Sequence, residues 1–168
     1  MNRIAAHFML SMLDVSDDLD KLNAWMLGGT GASATLLLSN ADSSSSVLSP
    51  SVAVTLLSIL SISALFGIGA KINAVKIKSA KKVMSYAYEY FENHTEEEVL
   101  EILRSIKLAL PWWTHGQIER DSSKGAQDSL YGPKLALRRL EYQKKFIGIQ
   151  AGILVVAIFV SAALIARA

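Results

Sequence analysis

Residues 22–39 read LNAWMLGGTGASATLLLS and residues 52–70 read VAVTLLSILSISALFGIGA. The fold class turns on these two runs. Neither contains an Asp, Glu, Lys, Arg or His, and they are 18 and 19 residues long. That is the length a helix needs to cross a hydrocarbon core of about 30 Å at about 1.5 Å per residue. The polar turn Asn40–Ser51 between them is short, so the two runs are expected to lie as antiparallel neighbours. Ser49 and Pro50 suit the N-cap and first position of the second helix. A third apolar block, Phe146–Ala166, follows near the C-terminus. The expected fold is all-α: an integral membrane protein with three transmembrane helices and a helical domain between the second and third.

Charge gives the expected orientation. Of 168 residues 51% are hydrophobic, and the net charge is only +2, too small to argue for nucleic acid, so no duplex DNA is expected. The distribution is uneven. Between Lys71 and Lys145 there are 14 Lys and Arg against 10 Asp and Glu, a surplus of four positive charges. Lys71, Lys76, Lys78, Lys81 and Lys82 follow the second run, and Arg138, Arg139, Lys144 and Lys145 precede the third. The positive-inside rule places this segment in the cytoplasm, with the N-terminus inside and the C-terminus outside. The expected organisation is an N-terminal amphipathic, cytoplasmic helix over 1–21, a transmembrane hairpin over 22–70, a cytoplasmic helical domain over 71–145 and a third span over 146–168. The expected location is the bacterial inner membrane, as a multi-pass protein.

Met1–Leu13 has an amphipathic pattern, with Ile4, Phe8, Met9 and Met12 on one side. It either lies on a membrane surface or packs against protein. Asp14–Asp20 fails as a calcium loop, because Leu19 and Trp25 stand where the Gly and Glu are required. Ser16 is expected to cap a helix from about Asp17, with the acids favoured by the helix dipole. Gly28, Gly29, Thr30 and Gly31 lack the preceding strand and the Lys-Ser/Thr of a phosphate loop. Gly28 with Ala32, and Gly29 with Ser33, are instead small-residue pairs that let helices approach closely. Ser58, Ser61 and Ser63 either bond to their own helix, bond across to a partner or line a wet lumen.

From Lys71 a helical pattern runs on to Asn93, with Ile72, Val75, Ser79, Val83, Tyr86 and Tyr90 as its stripe. Thr95 and Glu98 form a capping box for a helix ending before Pro111. A short helical piece is expected near Gln117–Ser122. Lys134–Phe146 is read as helical and continuous with the third span. Gly148 and Gly152 make a GxxxG pair there, and Gln150 is the one strongly polar side chain in that span. Trp25, Trp112 and Trp113 are the expected interface anchors, the last two alternatively an intersubunit contact or a stacking platform for a base.

The chemistry is sparse. No cysteine means no disulfide, thiolate metal site or cysteine nucleophile. His7, His94 and His115 are far apart, and no metal site or cofactor is expected. No Gly-x-Ser-x-Gly elbow occurs, so the chain is not read as an enzyme. The spans hold no ionisable residue of the kind ion-coupled transporters use at depth.

In plan the chain resembles the small multi-span membrane effectors of bacterial anti-phage defence systems. The resemblance covers overall architecture and transfers no residue. It implies membrane permeabilisation after a nucleotide or oligonucleotide signal. Holins share the small size, but the large insert and the N-in, C-out arrangement depart from their plan. The expected function is a homo-oligomeric channel or effector gated by its cytoplasmic helices. Lys76, Lys78, Lys81, Lys82, Arg138 and Arg139 would receive an anionic ligand such as a nucleotide, or simply set topology and meet lipid headgroups. The alternative is a non-conducting adaptor whose helices Lys71–Leu110 and Lys134–Lys145 dock a soluble partner.

Overall fold

The structure, a computed structural model, describes residues 3–41, 49–93, 95, 97–98, 101, 104–105, 116, 119–121, 123–125, 128 and 130–165. Four helices carry nearly all of them: α1 (Arg3–Met12), α2 (Val15–Ala41), α3 (Pro50–Asn93) and α4 (Tyr131–Ile165). Among the described residues there are no strands. Two of the helices, α3 over Pro50–Tyr86 and α4 over Tyr131–Ala163, are long and apolar enough to cross a membrane. The expected first span, within α2, is diluted by Gly, Ala, Ser and Thr and does not join them.

Local chemistry accounts for most of the boundaries. α3 starts where expected: the Ser49 carbonyl accepts from the N–H groups of Val52 (3.0 Å) and Ala53 (3.1 Å). Pro50 opens the helix, where its missing N–H is no loss. The helix then runs 44 residues, about 65 Å at about 1.5 Å per residue, without a breaker. α2 begins earlier and ends later than expected, running through Asn40 to Ala41. Asp17 and Asp18 lie in its first turn, favoured by the dipole. Ser16 does not cap it. Its hydroxyl is buried and donates to Gln143 Oε1 at 2.7 Å, a tertiary bond that outcompetes the local cap. The capping box is present, with Glu98 accepting from both the N–H (2.9 Å) and the hydroxyl (3.1 Å) of Thr95. Of the expected piece Gln117–Ser122, residues 119–121 are described and helical, as are 116 and 123–125. α4 starts after Asp128, whose carboxylate accepts from the Leu130 N–H (3.0 Å) and from Lys134 Nζ (2.6 Å). Those two bonds, Lys134 first, hold the Asp128 carboxyl below its ordinary range.

The chain divides into two compact units, and both long helices contribute to each. One comprises Met1–Leu13 and Lys76–Arg138, the other Asp14–Val75 and Arg139–Ala168. In the first unit Leu10 of α1 and Leu13 just after it are buried, while Phe8 and Met12 of the expected apolar face are exposed. There Gly132 of α4 meets α3 closely: a Cβ on it would stand 3.2 Å from Met84 Sδ.

The second unit is a three-helix bundle. Asp20 pairs with Lys71 and Asn23 bonds to Gly67, so α3 runs antiparallel to α2. Ser16 bonds to Gln143 and Ser63 to Gln150, so α4 runs parallel to α2. Phe66 and Phe146 meet at 6.0 Å between ring centroids. In this unit the buried positions of α3 are 53, 56, 60, 63, 67, 70 and 74, and those of α4 include 140, 143, 147 and 150. Alternating steps of three and four form the repeat that lets helices interlock along a seam. The expected stripe of α3 is not this seam. Ile72, Val75, Ser79, Val83 and Tyr86 are exposed, and Ala70, Ala74 and Ile77 are buried in their place.

Candidate functional site

The bundle buries polar residues among apolar ones such as Leu56, Leu60, Leu140 and Ile147, and it carries large apolar side chains outside. Ser16, Asn23, Thr30, Ser63, Gln143 and Gln150 are buried. Leu36, Leu38, Val54, Leu65, Val155, Val156, Ile158 and Phe159 are exposed, Phe159 by 70%. On α2 the buried polar residues Ser16, Asn23 and Thr30 recur every seven positions, and on α4 Gln143 and Gln150 do the same. The seam of the bundle is therefore crossed by polar layers.

The first layer is fully paired. Ser16 Oγ donates to Gln143 Oε1 at 2.7 Å, and Gln143 Nε2 donates back to the Ser16 carbonyl at 3.2 Å. The second is built around Gly67. Asn23 Nδ2 donates to the Gly67 carbonyl at 2.9 Å. A Cβ on Gly67 would stand 2.6 Å from Leu27 Cδ2 and 2.7 Å from Gln150 Nε2, so only glycine lets α3 come this near both neighbours. Ser63 Oγ donates to the Gln150 carbonyl at 3.4 Å. The third position, Thr30, satisfies itself on the Met26 carbonyl at 2.7 Å. Past that level the three helices leave an apolar cleft of ≈ 510 Å³ among Leu37, Leu56, Leu60, Leu154 and Ile158.

Of the expected packing residues, Ser63 and Gln150 join this interior. Ser58 and Ser61 are exposed and bond to their own helix, donating to the carbonyls of Val54 (2.9 Å) and Leu57 (2.8 Å). Gly28, Gly29, Ala32 and Ser33 are not buried in this interior, though Gly29 and Ser33 line the apolar cleft. They are exposed on α2, and nothing stands within 4 Å of a Cβ placed at Gly28 or Gly29. Gly148 and Gly152 are exposed on α4 with the same open space. The physical reason is the register: the seam takes the steps through Asn23 and Thr30 on α2 and through Ile147 and Gln150 on α4, which turns these small residues outward. Trp25 stands beside them, 82% exposed. Trp112 and Trp113 lie outside the described residues.

The expected basic residues lie along α3 and α4. Lys76, Lys78 and Lys82 are exposed along α3, with Lys78 and Lys82 four apart on one face and Lys76 on a different one. Lys82 Nζ stands 5.9 Å above the Tyr86 ring. Lys81 is half-buried and Arg138 is exposed, while Arg139 is half-buried and belongs to the other compact unit. His7 is exposed, and His94 and His115 lie outside the described residues. Among the described residues no cluster of three or more His, Cys, Asp or Glu is arranged to hold a metal.

Sequence reasoning missed Ser16, Asn23, Gly67 and Gln143 as members of the interior. The signal was available: a polar residue every seven positions on α2 and α4, and a glycine on α3 between two of them. No protein-family model, curated protein or solved structure matches the chain.

Proposed function

We propose that this chain is a multi-pass membrane protein that self-associates through the outer face of α2 to permeabilise the bilayer. The observation that carries the proposal is the apolar exterior. A soluble bundle hides its large apolar side chains; this one exposes Leu, Ile, Val and Phe along α3 and α4, and its core holds Asn, Gln and Ser among Leu, Ile and Ala. Lipid suits such an exterior, since hydrocarbon gains nothing from leaving Leu or Phe, while buried polar groups pair across helices. In this reading α2 crosses with α3 and α4, held by its polar layers instead of by its own hydropathy. That gives three spans, with the basic 71–145 segment inside.

The small residues support self-association. Gly28 and Ala32, with the exposed sides of Gly29 and Ser33, form a surface of small residues on α2 where a second copy's backbone can approach closely. The helices between the spans would control the assembly, in the manner of the anti-phage effectors the chain resembles in plan. An anionic ligand such as a nucleotide would act through Lys78, Lys82 and the neighbouring basic residues.

The test is solute flux from vesicles. Purified protein in liposomes is expected to release a trapped small dye, at a rate rising more steeply than linearly with protein per vesicle. Absence of release across lipid compositions, with and without nucleotides, would contradict it. A second reading, a non-conducting adaptor, is favoured by Val83 and Tyr86, which stand exposed on α3 and offer a partner an apolar strip. That reading predicts capture of a soluble protein without flux.

A further inference from the structure

We propose that Asn23, Gly67 and Gln150 form a binding site for a single water molecule sealed inside the bundle. Asn23 and Gln150 are both fully buried. Both amides converge on Gly67, one bonding to its carbonyl at 2.9 Å, the other ending 2.7 Å from where its Cβ would be. Yet Asn23 Oδ1 and both Gln150 Nε2 and Oε1 have no hydrogen-bond partner among the described residues. Ser63 does not supply one, since its hydroxyl is spent on the Gln150 carbonyl. Three strong polar atoms unpaired in one place would oppose folding of this seam.

The open set is two amide carbonyl oxygens and one amide NH2 group, and this selects the ligand. A cation would suit the oxygens and be repelled by the N–H. An anion would suit the N–H and be repelled by the oxygens. Water accepts from Gln150 Nε2 and donates to Asn23 Oδ1 and Gln150 Oε1. Those three bonds are the usual complement of a buried water. The site lies along the stretches of α3 and α4 that are apolar enough to cross a membrane, where no bulk water would substitute. Its consequence is structural: α2, the least apolar of the three bundle helices, is fastened to α3 and α4 by a hydrated amide layer. The site lies inside one subunit and stands or falls separately from self-association.

The test is water-edited solid-state NMR on labelled protein in phosphatidylcholine bilayers. Magnetisation from water is expected to reach the Gln150 side-chain amide as early as it reaches the exposed Lys76–Lys82 segment, while Leu27 and Phe146 receive none. No transfer to Gln150, together with a direct Asn23–Gln150 amide contact, would overturn the site. A Gln150 signal that shifts when sodium is replaced by lithium would overturn water in favour of a cation. Gly67→Ala, whose methyl points at Gln150 Nε2, is expected to reduce the transfer at least fivefold. Unchanged transfer in a folded Gly67→Ala protein would also overturn it, and the unsubstituted protein decides the matter if that variant does not fold.

Discussion

α2 and α4 run parallel on either side of α3, and they meet it in the same way. Each sends a polar side chain inward every seven residues, Ser16 and Asn23 from one, Gln143 and Gln150 from the other. Outward they differ. α4 shows Val155, Val156, Ile158 and Phe159, preceded by Gly148 and Gly152. α2 shows Gly28, Gly29, Gly31 and Ala32 beside Trp25. In the shared interior Ser16 and Gln143 join α2 to α4 directly, while Asn23 and Gln150 each bond to α3. The different exteriors point to different surroundings: bulky branched side chains fill lipid well, and glycines do so poorly but admit another backbone.

The largest expected effect breaks that difference. Gly28→Ile with Gly29→Ile fills a face where nothing of the same chain stands within 4 Å, so the fold should persist. Self-association should weaken at least tenfold, about 1.4 kcal/mol, by sedimentation in detergent. Val156→Ala on the outer face of α4 should leave it unchanged. The next effect is on the shared interior. Gly67→Ala overpacks the crossing against Leu27 and Gln150 and should lower stability by about 1–3 kcal/mol in thermal or denaturant unfolding. Ser16→Ala should cost about 1 kcal/mol, because it strands buried Gln143 Oε1 while Gln143 Nε2 keeps its bond to the Ser16 carbonyl. Ser58→Ala and Ser61→Ala remove hydroxyls that serve only their own helix, and should change stability by less than about 0.5 kcal/mol.

The smallest effect lies outside the bundle. The Asp128 carboxyl is held down by Lys134 and by the Leu130 N–H. A depressed carboxyl stabilises the folded form above its ordinary value of 3.8, and that contribution is lost as pH falls through the lower folded value. An acid titration of α4 helicity should therefore show a small loss below pH 3.8 that is absent in Asp128→Asn.

Much of this architecture was legible in the residues. Charge-free runs, the Ser49–Pro50 start, the Thr95–Glu98 box and the continuity of α3 and α4 all follow local rules that the fold obeys. Which face turns inward did not follow. Hydrophobic periodicity finds a buried face by its contrast with water. Where the exterior is as apolar as the core, Ile72, Val75 and Val83 make a helical stripe and still end outside. The inward positions are marked by Asn23, Ser63, Gly67, Gln143 and Gln150, residues that need a partner or allow a close crossing. Gln150 was recognisable for that reason. Asn23 and Gly67 were hidden by the charge-free runs around them, and Ser16 by a capping role that it does not fill.

The comparison of the two outer faces can be tested directly, because the chain has no cysteine of its own. Single substitutions Ala32→Cys on α2 and Phe159→Cys on α4 can be oxidised in reconstituted membranes and followed as disulfide-linked dimers. The account predicts rapid crosslinking between copies at position 32 and little at position 159. Equal crosslinking at both, or crosslinking at 159 alone, would contradict it.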